Sequence, residues 1–156
     1  MATIKSYTDI EQSKRLARIL PLESADMRYG YIAPYDYSDR MYDGGYDEVP
    51  YPKDFLVKNP NFSANEYDAE LPCWSLSALL AILPNEIITD DRFECHYQID
   101  IRKHDGGNNI TFYQIAYGND RGLSGSWHDM INTGEKESLI DACVAMIEQL
   151  HELKML

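Results

Sequence analysis

The sequence predicts an α+β fold: about three helices packed on a small antiparallel sheet of two to four strands, with a long irregular tyrosine-rich segment between them. Three observations predict it. Two segments, one near each end of the chain, repeat apolar residues at helical spacing. A third, Phe93 to Arg102, alternates in hydropathy as a half-buried strand does. Between them, Arg28 to Tyr51 holds seven of the twelve tyrosines and five acidic residues, and follows neither period.

The first helix is expected from about Asp9 to Leu20. Thr8 and Glu11 have the spacing of a capping box, Ile10, Leu16, Ala17, Ile19 and Leu20 form an apolar stripe, and Pro21 ends it. Residues 22–70 offer only short possible elements. A disordered segment would be poor in aromatics, so this one is expected to be ordered turns or short strands on the core, with a mobile tip near Asp43-Gly44-Gly45. Leu71 to Pro84 is a short helix bracketed by prolines, with Ser75 as N-cap. Its leucines cover most of its circumference, which places it at the centre of the core. In the strand, Phe93, Cys95, Tyr97, Ile99 and Ile101 form one face. His104 to Asn109 supplies turn residues, and Ile110 to Tyr117 returns as a second strand. Gly118 to Gly125 is expected as a loop and Ser126 to Ile131 as a third strand. Glu135 to Leu153 is the last helix, with Leu139, Cys143, Met146, Leu150 and Leu153 on its apolar face.

A chain of 156 residues suits a single domain, 1–156, with a substantial core. Its net charge is −12 and is unevenly spread: +2 over residues 1–21, −7 over 22–70 and −7 over 71–156. The basic cluster Lys14, Arg15 and Arg18 is too small to displace counterions from a nucleic acid, so direct nucleic-acid binding is not expected. The longest apolar run, Leu76 to Leu83, is too short to span a bilayer. Cys73, Cys95 and Cys143 are odd in number and widely spaced, and the polar N-terminus has no secretory h-region. Free thiols and a cytoplasmic location follow.

Three blocks carry a resemblance: Ile4 to Ser13 continuing through Ile19 to Met27, Leu71 to Leu80, and Asp141 to Ile147 through Leu150 to Leu153. Together they resemble a family of small uncharacterised proteins of gut bacteria, their phages and mobile elements. The resemblance implies a cytoplasmic accessory protein encoded on such an element. It carries over no activity, cofactor or catalytic residue, and it does not include the tyrosine-rich segment.

No motif specifies a chemistry. GxGxxG, GxxxxGK[ST], HExxH and CxxC are all missing, so no cofactor or metal is expected. His96, His104, His128 and His151 lack paired spacing, and Cys95 and His96 point to opposite faces of a strand. Asp36-Tyr37-Ser38-Asp39 lacks the spaced oxygens of a calcium loop. Asp90-Asp91 reads as a solvated turn, and the sequon at Asn61 has no meaning without export. Cys73, at the start of a predicted helix, is a weak nucleophile candidate, set against the tendency of free cysteine to be buried.

The function expected is a non-enzymatic interaction module. Tyrosine gives large contact area at little rotamer cost. The partner-binding candidates are therefore Tyr35, Tyr37, Tyr42 and Tyr46, and the partner is a protein, basic in character, or a second copy of the chain. Two alternatives of other classes stay open. One is a small enzyme using Cys73 with His96 or His128, which predicts an exposed thiol. The other is an acidic nucleic-acid mimic acting on a host DNA-binding protein, which predicts carboxylates spaced like phosphates.

Overall fold

The computed structural model describes residues 4–32, 35–37, 40–52, 71–89, 94–121 and 125–156; of residues 32, 35–37, 40, 42 and 121 it describes the backbone alone. Phe93, Asp90-Asp91, Ser38-Asp39 and the Asn61 sequon lie outside the described residues. The fold is α+β, with three α-helices and both a three-stranded and a four-stranded antiparallel sheet among the described residues. The chain divides into two compact units, Tyr7–Ala78, and Leu79–Leu156 together with Met1–Ser6. No helix among the described residues is long and apolar enough to cross a membrane.

The first unit begins with α1 (Ile10–Leu16), shorter than the sequence predicts and capped one residue later. Asp9 is the N-cap; its carboxylate accepts from the Gln12 amide at 2.8 Å, and the Gln12 side chain accepts from the Asp9 amide at 3.1 Å. Thr8 does not cap because its hydroxyl is committed elsewhere. It lies 2.8 Å from the Ser13 hydroxyl and accepts from the Trp74 amide at 3.1 Å, in a fully buried position. Turns with mixed i−3 and i−4 hydrogen bonds carry the chain on to Leu20.

The segment expected to be irregular is a paired ribbon. Strands β1 (Met27–Tyr29), β2 (Tyr31–Ile32) and β3 (Tyr35–Tyr37) run outward, and β4 (Arg40–Tyr42), β5 (Gly45–Tyr46) and β6 (Tyr51–Pro52) return. Pairing is antiparallel at each level: Arg28 with Tyr51, Tyr31 with Tyr46, Tyr35 with Tyr42 and Tyr37 with Arg40. Gly44-Gly45 is therefore on the returning limb, not at a tip. Gly44 takes φ 83°, which favours glycine, and Gly45 pairs with Ile32.

β7 (Leu71–Cys73) completes the three-stranded sheet beside β1, and α2 spans Leu76–Ile82. The prolines do not bracket one helix, because Leu71 to Cys73 is extended. Ser75 does cap α2, its hydroxyl accepting from the Ala78 amide at 3.2 Å. Within α2 only Leu79 is fully buried, so the helix is not the centre of the core. Tyr29, Leu71 and Cys73 form a small buried cluster, with Tyr7, Ile10, Met27 and Tyr46 packed against it.

In the second unit β8 (Glu86–Thr89), β9 (Cys95–Gly107), β10 (Ile110–Arg121) and β11 (Ser126–Asn132) form the four-stranded sheet in the order β11-β10-β9-β8. The β9–β10 turn is two residues, Asn108-Asn109, with φ 53° and 61°. Those values suit the type I′ turn that matches strand twist, so strand pairing reaches Gly107 instead of stopping before His104. β10 continues through Gly118, where a loop was expected. α3 (Leu139–Glu152) is capped by Ser138, whose hydroxyl accepts from the Asp141 amide at 3.0 Å. Ile140, Cys143, Met146, Ile147 and Leu150 are buried on it, whereas Leu153 is exposed. Ile87, Tyr97, Ile115, Tyr117 and Ile131 are buried on the sheet face that they share by register.

Candidate functional site

The candidate tyrosines all lie on the ribbon. Tyr35 and Tyr42 are direct cross-strand partners, and Tyr37 is two residues from Tyr35 on β3, so the three positions share one face of the β3–β4 ladder. Tyr46 partners Tyr31, ring edge to ring face, with centroids 5.0 Å apart. Both of these rings are half-buried, and the Lys14 ammonium lies 5.9 Å from the Tyr46 ring centre. Tyr29 is different: it is buried, its hydroxyl donates to the Thr8 carbonyl at 2.7 Å, and burial pushes its pKa up. Tyr51 donates to the Asp47 carboxylate. Met41, Asp43, Glu48 and Val49 on the returning limb are exposed.

Cys73 sits in β7, not at a helix start, and its relative exposure is 0%. Its sulfur lies 3.5 Å from both the hydroxyl and the carbonyl of Thr8. Desolvation raises its pKa, opposed by hydrogen bonds from Thr8, Ser13 and Tyr29. A nucleophile needs an accessible thiolate; this environment holds a packed thiol. Cys143, on α3, is likewise buried and its thiol is pushed up to about 12 by desolvation. All three cysteines are free.

The histidines do not converge. His96 Nδ1 lies 2.8 Å from Glu86 and its Nε2 3.6 Å from Glu94. His104 faces Glu135 at 3.3 Å, and His128 lies 3.4 Å from the Ser126 hydroxyl. No group of three His, Cys, Asp or Glu among the described residues could hold a metal ion.

The constellation that sequence reasoning misses lies on the other face of the four-stranded sheet. Register pairs Tyr117 with Ile131 but Gly118 with Asp129, so Met130 is an extra residue, a β-bulge. Without it, alternation would put Trp127 and Asp129 on the same face as Ile131. With it, Ile131 stays in the core while Trp127 and Asp129 turn to the opposite face. There the Arg102 guanidinium donates to both oxygens of Asp129, at 2.6 and 3.0 Å, and from Nε to Asp100 at 2.6 Å. The Trp127 indole and the Asn132 amide also donate to Asp129, each at 2.7 Å, and Gln114 donates to Asn132 at 2.8 Å. Asp129 is lowered to about 2, first by the Arg102 bonds, with Asn132 and Trp127 adding to them and desolvation opposing. Small residues of β10 make room. Ala116 is fully buried, and a Cβ on Gly118 would meet the His128 carbonyl oxygen at 2.3 Å and Trp127 Nε1 at 2.7 Å. Beside Trp127 is a cleft of 170 Å³ lined by His96, Gln98, Gly118, Asn119, Asp120 and Trp127. The sequence signal is slight: a lone glycine inside a β-rich run.

No protein-family model, no curated protein and no solved structure matches the chain.

Proposed function

We propose that the chain is a non-catalytic protein-interaction module that acts in the cytoplasm and docks a protein partner on its tyrosine-acid ribbon. The observation that carries this reading is the register: Tyr35 faces Tyr42, Tyr46 faces Tyr31, and Tyr37 shares the face of Tyr35. A two-stranded ribbon alone is marginally stable, and cross-strand aromatic pairs are a means of holding one. Aromatic positions held on a paired scaffold suit a protein interface. Exposed Met41 and Val49 add apolar contact, and Asp43 and Glu48 favour a basic partner. Three free thiols are in keeping with a reducing compartment, and an accessory role on a mobile element is the biological setting this reading implies.

The test compares the wild type with a Tyr35→Ser, Tyr37→Ser, Tyr42→Ser variant. Light scattering over a concentration series and affinity capture from a bacterial lysate supply the readouts. The expected outcome is a stoichiometric partner or oligomer that the variant loses while keeping the wild-type circular dichroism spectrum. A wild type with neither partner nor oligomer, or a variant that keeps both, overturns the reading.

A further inference from the structure

The geometry points to a second recognition site in the Leu79–Leu156 unit: the cleft beside Trp127 binds an arginine side chain of a partner protein. It uses none of the ribbon residues, so it stands or falls independently of the ribbon.

Three features of the cleft converge on a planar cation. The first is its aromatic wall. Trp127 is seated on Gly118, whose missing side chain lets the indole approach the β10 backbone, and its Nε1 is tied to Asp129 at 2.7 Å. The ring is thus fixed, yet 38% of the residue remains exposed. A fixed, partly exposed indole is the strongest natural cation–π surface. The second feature is charge. Asp120 is the direct cross-strand partner of Trp127 and is exposed, so a carboxylate stands on the same face as the ring. The nearby Arg102 does not oppose a cation, because Asp100 and Asp129 outnumber it. His96, which also lines the cleft, stands between Glu86 and Glu94. The third feature is an amide: Gln98 is the cross-strand partner of Gly118, so its side chain stands on the face of Trp127. A flat ring, a carboxylate and an amide oxygen match the flat, many-donor guanidinium better than the compact, strongly hydrated ammonium of lysine. A volume of 170 Å³ admits such a head group but not a large cofactor.

The test titrates the full chain with a blocked Gly-Gly-Arg-Gly-Gly peptide. Tryptophan fluorescence and the Trp127 indole N–H resonance are followed; Trp74 is fully buried, so its signal stays constant. Saturable binding in the range of millimolar or tighter is expected, as befits one side chain. Asp120→Asn, whose side chain is exposed, should weaken it roughly threefold while leaving the unfolding midpoint near wild type. The citrulline peptide, equal in shape but uncharged, should give no shift, the lysine peptide a weaker one, and the Tyr35, Tyr37, Tyr42 triple-serine variant a wild-type one. Free arginine should bind more weakly than the peptide. The proposal is overturned if the Trp127 resonance does not move, if citrulline or lysine matches arginine, if Asp120→Asn binds as the wild type does, or if free arginine binds as tightly as the peptide.

Discussion

Arg102 holds Asp129 by a two-pronged contact, Nη1 to Oδ2 at 3.0 Å and Nη2 to Oδ1 at 2.6 Å, from the neighbouring-but-one strand. The pair reaches across β10, over Ala116, and ties β9 to the edge strand β11. Planar pairs of this kind are stronger than a lysine contact. Being about two-thirds buried, this one is screened less than a surface pair.

Asp129→Asn should therefore destabilise the protein by about 1–2 kcal/mol at neutral pH. The folded-state carboxyl lies at about 2, below its unfolded value of about 3.9. Its contribution is present above the unfolded value and is lost as pH falls from about 4 towards 2. Urea unfolding at neutral pH and near pH 3 should show the gap between wild type and variant narrowing. A gap that does not change with pH would mean that the charge of Asp129 is not what stabilises.

Gly118→Ala should cost about 2–3 kcal/mol. The added carbon meets the His128 carbonyl, a backbone atom that cannot rotate away, and the edge of the Trp127 ring. β11 has to move off β10, so tryptophan emission should shift to the red with the loss of stability. A variant with wild-type emission and stability would show that the two strands are not so close.

These two residues also show how far the sequence speaks. Helical spacing located α1 and α3, because each buries one stripe. The alternation from Cys95 through Ile99 and the run from Ile110 located β9 and β10. Three features escaped. The ribbon has no period because its strands are two or three residues long, and cross-strand pairing is a relation between Tyr35 and Tyr42 that no local window contains. The cap moved from Thr8 to Asp9 because Trp74, distant in sequence, competes for the Thr8 hydroxyl. The bulge at Met130 reverses the alternation that a plain strand over Ser126 to Ile131 would keep, and so parts Trp127 and Asp129 from Ile131. In each case a long-range partner decides, which local propensity does not encode. Of the site, the positions of the tyrosines were legible from composition; the cleft beside Trp127 was not.

Thr8→Val should cost about 2 kcal/mol. The isosteric swap leaves the buried Trp74 amide and Ser13 hydroxyl without the partner they have now, at 3.1 and 2.8 Å. Thr8→Ser keeps the hydroxyl and should recover most of the loss. Equal destabilisation by both variants, measured by chemical denaturation, would assign the effect to the methyl group instead.

The last prediction concerns thiol reactivity, which follows thiolate fraction and access. Cys73 and Cys143 are both fully buried and both have raised pKa values, whereas Cys95 is half-buried on β9. Iodoacetamide at neutral pH should therefore modify the native protein first at Cys95, with Cys73 and Cys143 reacting only after denaturant is added. Peptide mapping by mass spectrometry reads the order directly. Cys95→Ser should then be almost inert to the reagent when folded. Rapid native-state labelling of Cys73, on the timescale of Cys95 or faster, would restore it as a nucleophile and reopen the enzymatic alternative. Slow labelling that tracks global unfolding would leave Cys73 as part of the packing that fixes β7 against Thr8 and Tyr29.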